Sequence, residues 1–185
     1  MSIQEAYNEV RNIQGNVDND DFRDKRKYRK PREQWVASVF MRGIEKLTHA
    51  AWKIQMMEEG KDPPDFIAES NEEKAEIEIL FVPKESARQF NNNEFSSEVA
   101  KFIIDKKIRN KSYPDTYIIV VYGNFAKIGL NLNLIRNIIK NEKPKIGQIW
   151  MLACINSLRT KYKIFELFRE SQEEAIDVTV DFIAK

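Results

Sequence analysis

Three carboxylates in the middle of the chain are the residues best suited to chemistry. Asp65 follows Pro64, and Glu76 and Glu78 come eleven and thirteen residues later in an otherwise apolar segment. Acidic groups held close together repel one another unless one takes up a proton or a cation neutralises them. Carboxylate oxygens are ligands that Mg²⁺ prefers. Convergence of the three would form a divalent-metal site; alternatively, Asp65 shapes a turn and the glutamates are the solvated start of a strand.

These acids belong to two segments with the pattern of a β-hairpin, residues 63–70 and residues 74–82. Prolines bound the first segment, and the second is rich in β-forming side chains. The polar pair Asn71-Glu72 between them suits a two-residue loop, which pairs positions whose numbers sum to 143. This register sets Asp65 opposite Glu78, so that the carboxylates crowd one end of the hairpin.

The second segment of the hairpin is apolar on both faces towards its end. Ile77 and Ile79 share one face, whereas Leu80 and Val82 lie on the other. A strand that is apolar on both faces is a central strand covered on both sides. We therefore expect the two glutamates to lie in a cleft at its edge.

Helical and strand patterns alternate along the rest of the chain. Apolar residues recur at helical spacing from Glu33 to Met57 after Pro31, and a helix with a basic face is predicted over Val99–Asn110. The remaining predicted elements are the strand Tyr117–Gly123, the helix Leu132–Asn141, the strand Ile146–Ile155, the edge strand Tyr162–Phe168 and a short helix or strand within 171–185. This alternation predicts an α/β fold with a central mixed β-sheet flanked by helices.

The order of these elements, with Pro64-Asp65 on one strand and Glu76-Ile77-Glu78 on the next, resembles the PD-(D/E)xK nuclease superfamily and its restriction-endonuclease-like fold. The resemblance spans roughly residues 33 to 155. It implies a Mg²⁺-dependent (or Mn²⁺-dependent) nuclease that hydrolyses phosphodiester bonds, a DNA endonuclease, with Asp65 and Glu76 as metal ligands. Many such enzymes are homodimers.

The third position of the motif departs from the family. Glu78 stands where lysine is usual, although some restriction enzymes carry glutamate there. As a catalytic residue, Glu78 would accept a proton from the attacking water or orient it. The departure leaves an alternative open, in which the chain keeps the fold as a non-catalytic nucleic-acid-binding or assembly module.

The resemblance implies two further catalytic residues. A glutamate on the first helix often points into the active site of the superfamily, which makes Glu45, or Glu33, a candidate. The missing lysine could come from the basic helix, with Lys107 or Lys101 as candidates. For each of these residues, a solvated position on a helix surface is the alternative.

Basic residues cluster just before the first predicted helix. Seven of the ten residues from Arg23 to Arg32 are Lys or Arg. The sequence therefore predicts a charged, basic arm over residues 1–32 and a single domain over residues 33–185. Lys and Arg side chains can track a phosphate backbone, and the candidates for nucleic-acid contact on the arm and on the basic helix are Arg26, Lys27, Arg29, Lys30, Lys101 and Lys106. The alternative is a solvated charge run, since the net charge is only +1.

Several other classes of protein are disfavoured by the sequence. The first thirty residues contain no long apolar run, so we expect neither a signal peptide nor a membrane span, and a cytoplasmic location. Cys154 and His49 are the single residues of their types, which leaves no disulfide and no Cys/His zinc site. The sequence also lacks a Gly-x-Ser-x-Gly elbow and a phosphate-binding loop of the Gly-x-x-x-x-Gly-Lys type.

Overall fold

The computed structural model describes residues 1–17, 22, 25–58, 63–83, 91–109, 111–125, 129–156, 160–168 and 176–179. The chain divides into two compact units, of which one spans Met1–Ile79 and the other Leu80–Thr179. The three acids of the hairpin all belong to the first unit.

The first unit begins with two packed helices, α1 (Ile3–Gly15) and α2 (Arg29–Thr48). A capping box starts α1, since Ser2 Oγ accepts the Glu5 N–H and Glu5 Oε2 accepts the Ser2 N–H. Its buried residues, Ile3, Ala6, Tyr7 and Val10, form an apolar stripe at helical spacing. Residues 1–32, which the charge pattern assigned to an arm, thus contain a helix with a buried face and the first turn of α2.

Helix α2 ends much earlier than its apolar pattern predicts. His49 adopts the left-handed conformation, with φ of 54°, and donates its N–H to the Glu45 carbonyl 2.9 Å away. A left-handed residue at this position stops a helix. The prediction of helix up to Met57 is therefore wrong, and the chain continues instead as strand β1 (Lys53–Met56), in which Ile54 is buried.

The hairpin has the register that its loop predicts. Strands β2 (Phe66–Glu69) and β3 (Lys74–Phe81) are antiparallel, with Phe66 opposite Ile77 and Ile67 opposite Glu76. The Ser70 N–H donates to the Glu73 carbonyl 2.8 Å away and closes the two-residue loop. Strand β1 pairs with the other edge of β2, also antiparallel. Phe66, Ala68 and Ile77 are buried on one face, whereas Ile67, Glu76 and Glu78 are half-buried on the other.

The second unit contains the last residues of β3, Leu80 and Phe81, and the remaining elements. These are α3 (Asn92–Ile103), a π-helical turn (Ile104–Ile108), β4 (Tyr117–Asn124), α4 (Leu132–Asn141), β5 (Gln148–Cys154), β6 (Lys161–Phe168) and β7 (Ile176–Thr179). Strands β4 and β5 pair in parallel, and β5, β6 and β7 pair antiparallel in that order. Because β7 covers it, β6 is not the edge strand that its sequence suggested.

The core of the second unit lies between its helices and strands. Ile119 and Val121 on β4 and Ile135 and Ile139 on α4 are fully buried, together with Phe95 at the start of α3. The mixed α/β class predicted from the sequence is confirmed: the described residues form seven strands, paired both parallel and antiparallel, and four α-helices. None of these helices in the described ranges is long and apolar enough to cross a membrane.

An alanine at Gly147 should destabilise the second unit. A Cβ atom there would overlap the carbonyl oxygens of Asp115 and Tyr117, and backbone atoms cannot swing away. We expect Gly147→Ala to lower the free energy of unfolding by about 1–3 kcal/mol. Gly129→Ala is the matched control, because the nearest atoms to its Cβ belong to the exposed, movable side chain of Asn92. Urea denaturation compares the two; equal stability would contradict the close backbone approach at Gly147.

Candidate active site

Asp65 is fixed where the pairing of β2 with β3 begins. Its N–H donates to the Ile77 carbonyl 2.9 Å away, and its own carbonyl accepts the Met57 N–H at 3.0 Å. Because β2 starts only at Phe66, the side chain of Asp65 supplies the next acceptor along the ladder: Oδ2 accepts the Ile79 N–H at 2.7 Å. The carboxylate is therefore held by the backbone of β3, and one oxygen, Oδ1, is directed elsewhere.

The first turns of α2 bring two charged side chains to this carboxylate. Lys30 Nζ lies 2.8 Å from Glu33 Oε2 and 4.0 Å from Asp65 Oδ1. Arg29 Nε donates to the other oxygen of Glu33 at 2.8 Å. Helical spacing explains the arrangement, since Arg29 and Lys30 precede Glu33 by four and three residues and so share its face. Lys30 thus bridges an acid on a helix and an acid on a hairpin.

Glu33 is an unusual residue in this cluster because its side chain is only 2% exposed. Its Oε2 forms the ion pair with Lys30, but no hydrogen bond of good geometry reaches that oxygen. A buried carboxylate oxygen without a directed donor is costly unless a cation compensates it. The position is consequently suited to a positive charge, whether that of Lys30 or of a metal ion.

The surroundings of Asp65 raise the pKa of its carboxyl group above the ordinary 3.8. Burial is the largest cause, because it disfavours the charged form. The Ile79 N–H opposes the rise, Glu33 adds to it by repulsion, Lys30 opposes it, and Glu78 adds a smaller repulsion. Glu33 and Glu78 are therefore the carboxylates that act electrostatically on Asp65.

The two glutamates of the second strand do not act on the same partner. Glu78 raises the pKa of Asp65, whereas Glu76 helps to raise the pKa of Lys74, after the larger effects of Glu69. Glu69 and Lys74 form an exposed ion pair at 2.8 Å near the loop of the hairpin. Asp65 is thus influenced by Glu33 and Glu78, and Glu76 lies nearer to the loop than Glu78, opposite Ile67.

Of the two glutamates that the resemblance suggested on the first helix, Glu33 is the one beside Asp65. Glu45 Oε1 accepts the Trp52 N–H at 3.1 Å and so secures the chain between α2 and β1. The sequence signal for Glu33 was the Arg29-Lys30 pair one helical turn before it. The proximity of Lys30 to Asp65 was not predicted, because the basic run gave Lys30 only a role in nucleic-acid contact.

The other basic candidates lie in two places. Arg26 and Lys27 are exposed in a 3₁₀ turn before α2, with Lys27 Nζ 4.8 Å from the Tyr28 ring, while Arg23 is outside the described residues. The candidates from the basic helix belong to the second unit. There Lys101 is exposed and paired with Glu98 at 2.9 Å, Lys106 is exposed in the π-helical turn, and Lys107 in the same turn is half-buried.

Two further findings concern metal-binding groups and similarity to known proteins. Across the ranges that the structure describes, no three or more His, Cys, Asp or Glu side chains form a group that could hold a metal ion. Comparisons with protein-family models, curated proteins and solved structures find no match to this chain.

Substitution of Asp65 should separate the effect of its charge from that of its hydrogen bond. Asp65→Asn keeps an oxygen for the Ile79 N–H, whereas Asp65→Ala removes it. Because the native pKa is raised, the carboxyl group contributes most to stability below pH 3.8, and this contribution is lost as pH rises through the native pKa. As the pH rises through this range, we expect the free energy of unfolding of Asp65→Asn to increase relative to that of the wild type. Asp65→Ala should lose about 1–3 kcal/mol, since the amide is left unsatisfied.

Urea unfolding of the three proteins from acidic to neutral pH, with a chelator present, measures both effects. Parallel stability curves for wild type and Asp65→Asn would contradict the raised pKa. Equal stability of the asparagine and alanine variants would contradict the hydrogen bond to Ile79.

Proposed function

We propose that the chain is a Mg²⁺-dependent nuclease that hydrolyses phosphodiester bonds, a DNA endonuclease of the class that its Pro-Asp and Glu-Ile-Glu pattern resembles. The observation that supports the proposal is the approach of one lysine to two carboxylates. Lys30 Nζ is 2.8 Å from Glu33 Oε2 and 4.0 Å from Asp65 Oδ1. Glu78 stands where the superfamily usually has lysine, and Lys30 supplies that positive charge from α2 instead.

The donor set suits Mg²⁺ or Mn²⁺. Glu33 Oε2 is buried without a directed hydrogen bond, and Asp65 Oδ1 faces the same ammonium group. Asp65 and Glu33 would hold the metal, with Glu76 as the further ligand that the sequence pattern assigns. A bound divalent ion polarises the phosphate, lowers the pKa of water and stabilises the leaving oxygen.

Each neighbouring side chain has its own task in this proposal. Glu78 lies on the half-buried face of β3, where its carboxylate can accept the proton of the attacking water. Lys30 is 28% exposed, so its flexible side chain can turn from Glu33 to a phosphate and stabilise the negative charge that develops there. Asp65 remains in place because the Ile79 N–H holds it.

The exposed basic residues before and in the first turn of α2 would hold the nucleic-acid backbone. Arg26 and Lys27 are exposed, and the side chain of Arg29 is 60% exposed although it pairs with Glu33. Each phosphate that such residues neutralise adds affinity that decreases with salt. Lys101 and Lys106 of the second unit remain proposed contacts of the same kind, and a homodimer would present two sites to a duplex.

A second candidate function is nucleic-acid binding or assembly without turnover. It is favoured by the state of the cluster: Asp65 Oδ2 is occupied by the Ile79 N–H, and the ammonium group of Lys30 already compensates Glu33. In that case Lys30 is a permanent counter-ion and has replaced the metal. The two candidates differ in what Mg²⁺ does to the protein and to DNA.

Cleavage of plasmid DNA distinguishes them. We expect the wild-type protein to cut plasmid in Mg²⁺ or Mn²⁺ and not with a chelator. Because Asp65 and Glu33 hold the metal in this proposal, Asp65→Asn and Glu33→Gln should each lower the rate by at least about a hundredfold. Lys30→Ala should lower it by a similar factor while leaving metal binding intact. Gel electrophoresis of nicked and linear products measures the rates.

Glu72→Gln is the matched control. This substitution also removes one negative charge, but Glu72 is exposed in the hairpin loop. Glu76→Gln tests whether Glu76 is a metal ligand beside Asp65 and Glu33. A cleavage rate equal to that of Glu72→Gln would show that it is not. Cleavage that persists in both Asp65→Asn and Glu33→Gln would refute the proposal. Salt-dependent DNA binding without cleavage or metal binding in the wild type would establish the second candidate.

A further inference from the structure

A second cluster of charge lies where α1 and α2 pack together. Tyr7 of α1 is stacked on Trp35 of α2, with ring centroids 5.2 Å apart, and both residues are buried. Two guanidinium groups lie over the same tyrosine ring. The carbon Cζ of Arg42 is 4.5 Å from the ring centroid, and that of Arg11 is 5.9 Å from it. Both are within the range of cation–π contact.

Within the described part of the chain, the two guanidinium groups have no anionic partner. Among the residues that the structure describes, the side chains of Arg11 and Arg42 form no ion pair and no hydrogen bond, and Arg11 Nε is buried without any acceptor. The nearest carboxylates along the helices are used elsewhere. Glu45, three residues after Arg42, binds the Trp52 N–H, and Glu9 of α1 accepts from the amide of Gln34 at 2.9 Å.

This arrangement is unfavourable for a structural purpose alone. Two like charges beside one ring repel each other, and a buried N–H donor without an acceptor is costly. The planar fork of a guanidinium group is pre-organised, so less entropy is lost for each hydrogen bond that it forms with an anion. The pair is thus organised for an anion that carries more than one charge and several acceptor oxygens.

We propose that Arg11 and Arg42 form a binding site for a phosphate monoester. Such a group carries close to two negative charges at neutral pH and offers three strong acceptor oxygens, which matches two guanidinium forks. A carboxylate offers one charge and two oxygens, and so would leave part of the cluster uncompensated. The same charge and acceptor oxygens are offered by the phosphorylated end of a nucleic acid and by inorganic phosphate, and this site does not depend on the proposed cleavage activity.

The test follows the side-chain Nε–H resonances of arginine by NMR in the full-length protein. We expect a 5′-phosphorylated oligonucleotide to shift the Arg11 signal and to bind about tenfold or more tightly than the same oligonucleotide with a 5′-hydroxyl end, because charge-assisted hydrogen bonds are lost with the phosphate. Inorganic phosphate is the second probe. A stronger response to the phosphorylated end assigns the ligand to nucleic acid; an equal or stronger response to inorganic phosphate assigns it to a free anion.

Variants provide the controls. Arg11→Gln and Arg42→Gln should each weaken binding of the probe about tenfold, and Arg11→Lys and Arg42→Lys, which keep the charge but lose the fork, should weaken it less. Arg109→Gln is the matched control, since Arg109 is exposed and paired with Asp105 at 2.7 Å. Asp65→Asn should retain full binding even if it abolishes cleavage. No shift of the Arg11 signal with either probe in the wild type would overturn the proposal, and so would equal binding of the two oligonucleotides together with no response to inorganic phosphate.

Discussion

One hydrogen bond determines the arrangement around Asp65. Strand β2 begins one residue after Asp65, so the ladder of the hairpin continues through a side chain, and Asp65 Oδ2 accepts the Ile79 N–H at 2.7 Å. Loss of solvation on burial raises the pKa of the carboxyl group, and this bond opposes that rise by stabilising the charged form. The bond also fixes the direction of the remaining oxygen, which meets Lys30. The charge cluster thus follows from where the strand pairing stops.

Lys30 then balances the charges of the cluster. Without it, Glu33 would keep its ion pair with Arg29, but its repulsion of the half-buried Asp65 would lose the opposing effect of the ammonium group. With it, the cluster is compensated, and our proposal is that a metal ion replaces Lys30, which is partly exposed and pairs with an oxygen of Glu33 that has no directed hydrogen bond. The same geometry is therefore compatible with a catalytic metal site and with a site in which Lys30 is a permanent counter-ion. The proposed nuclease requires that the exchange occurs.

Local rules were enough to predict the hairpin but not the cluster. The two-residue loop fixed the register in which Ile67 faces Glu76, and the apolar run predicted β4 to within one residue. The approach of Lys30 and Glu33 to Asp65 depends on how α2 packs, which no local spacing encodes. Ala51 and Ile54 continued the helical period beyond Thr48, yet the left-handed His49 ended the helix and Ile54 was buried on a strand. The pairing of β7 with β6 was likewise not predictable from local sequence patterns.

The most direct test of the cation exchange is a crystal structure of the protein soaked in Mn²⁺, with data collected for the anomalous signal of manganese. The proposed exchange predicts a manganese peak bound by Asp65 Oδ1 and Glu33 Oε2 at oxygen distances of about 2.0–2.6 Å, with the ammonium group of Lys30 displaced. The Ile79 N–H should still donate to Asp65. A structure at saturating Mn²⁺ in which Lys30 remains between the two carboxylates and no peak lies beside them would contradict it.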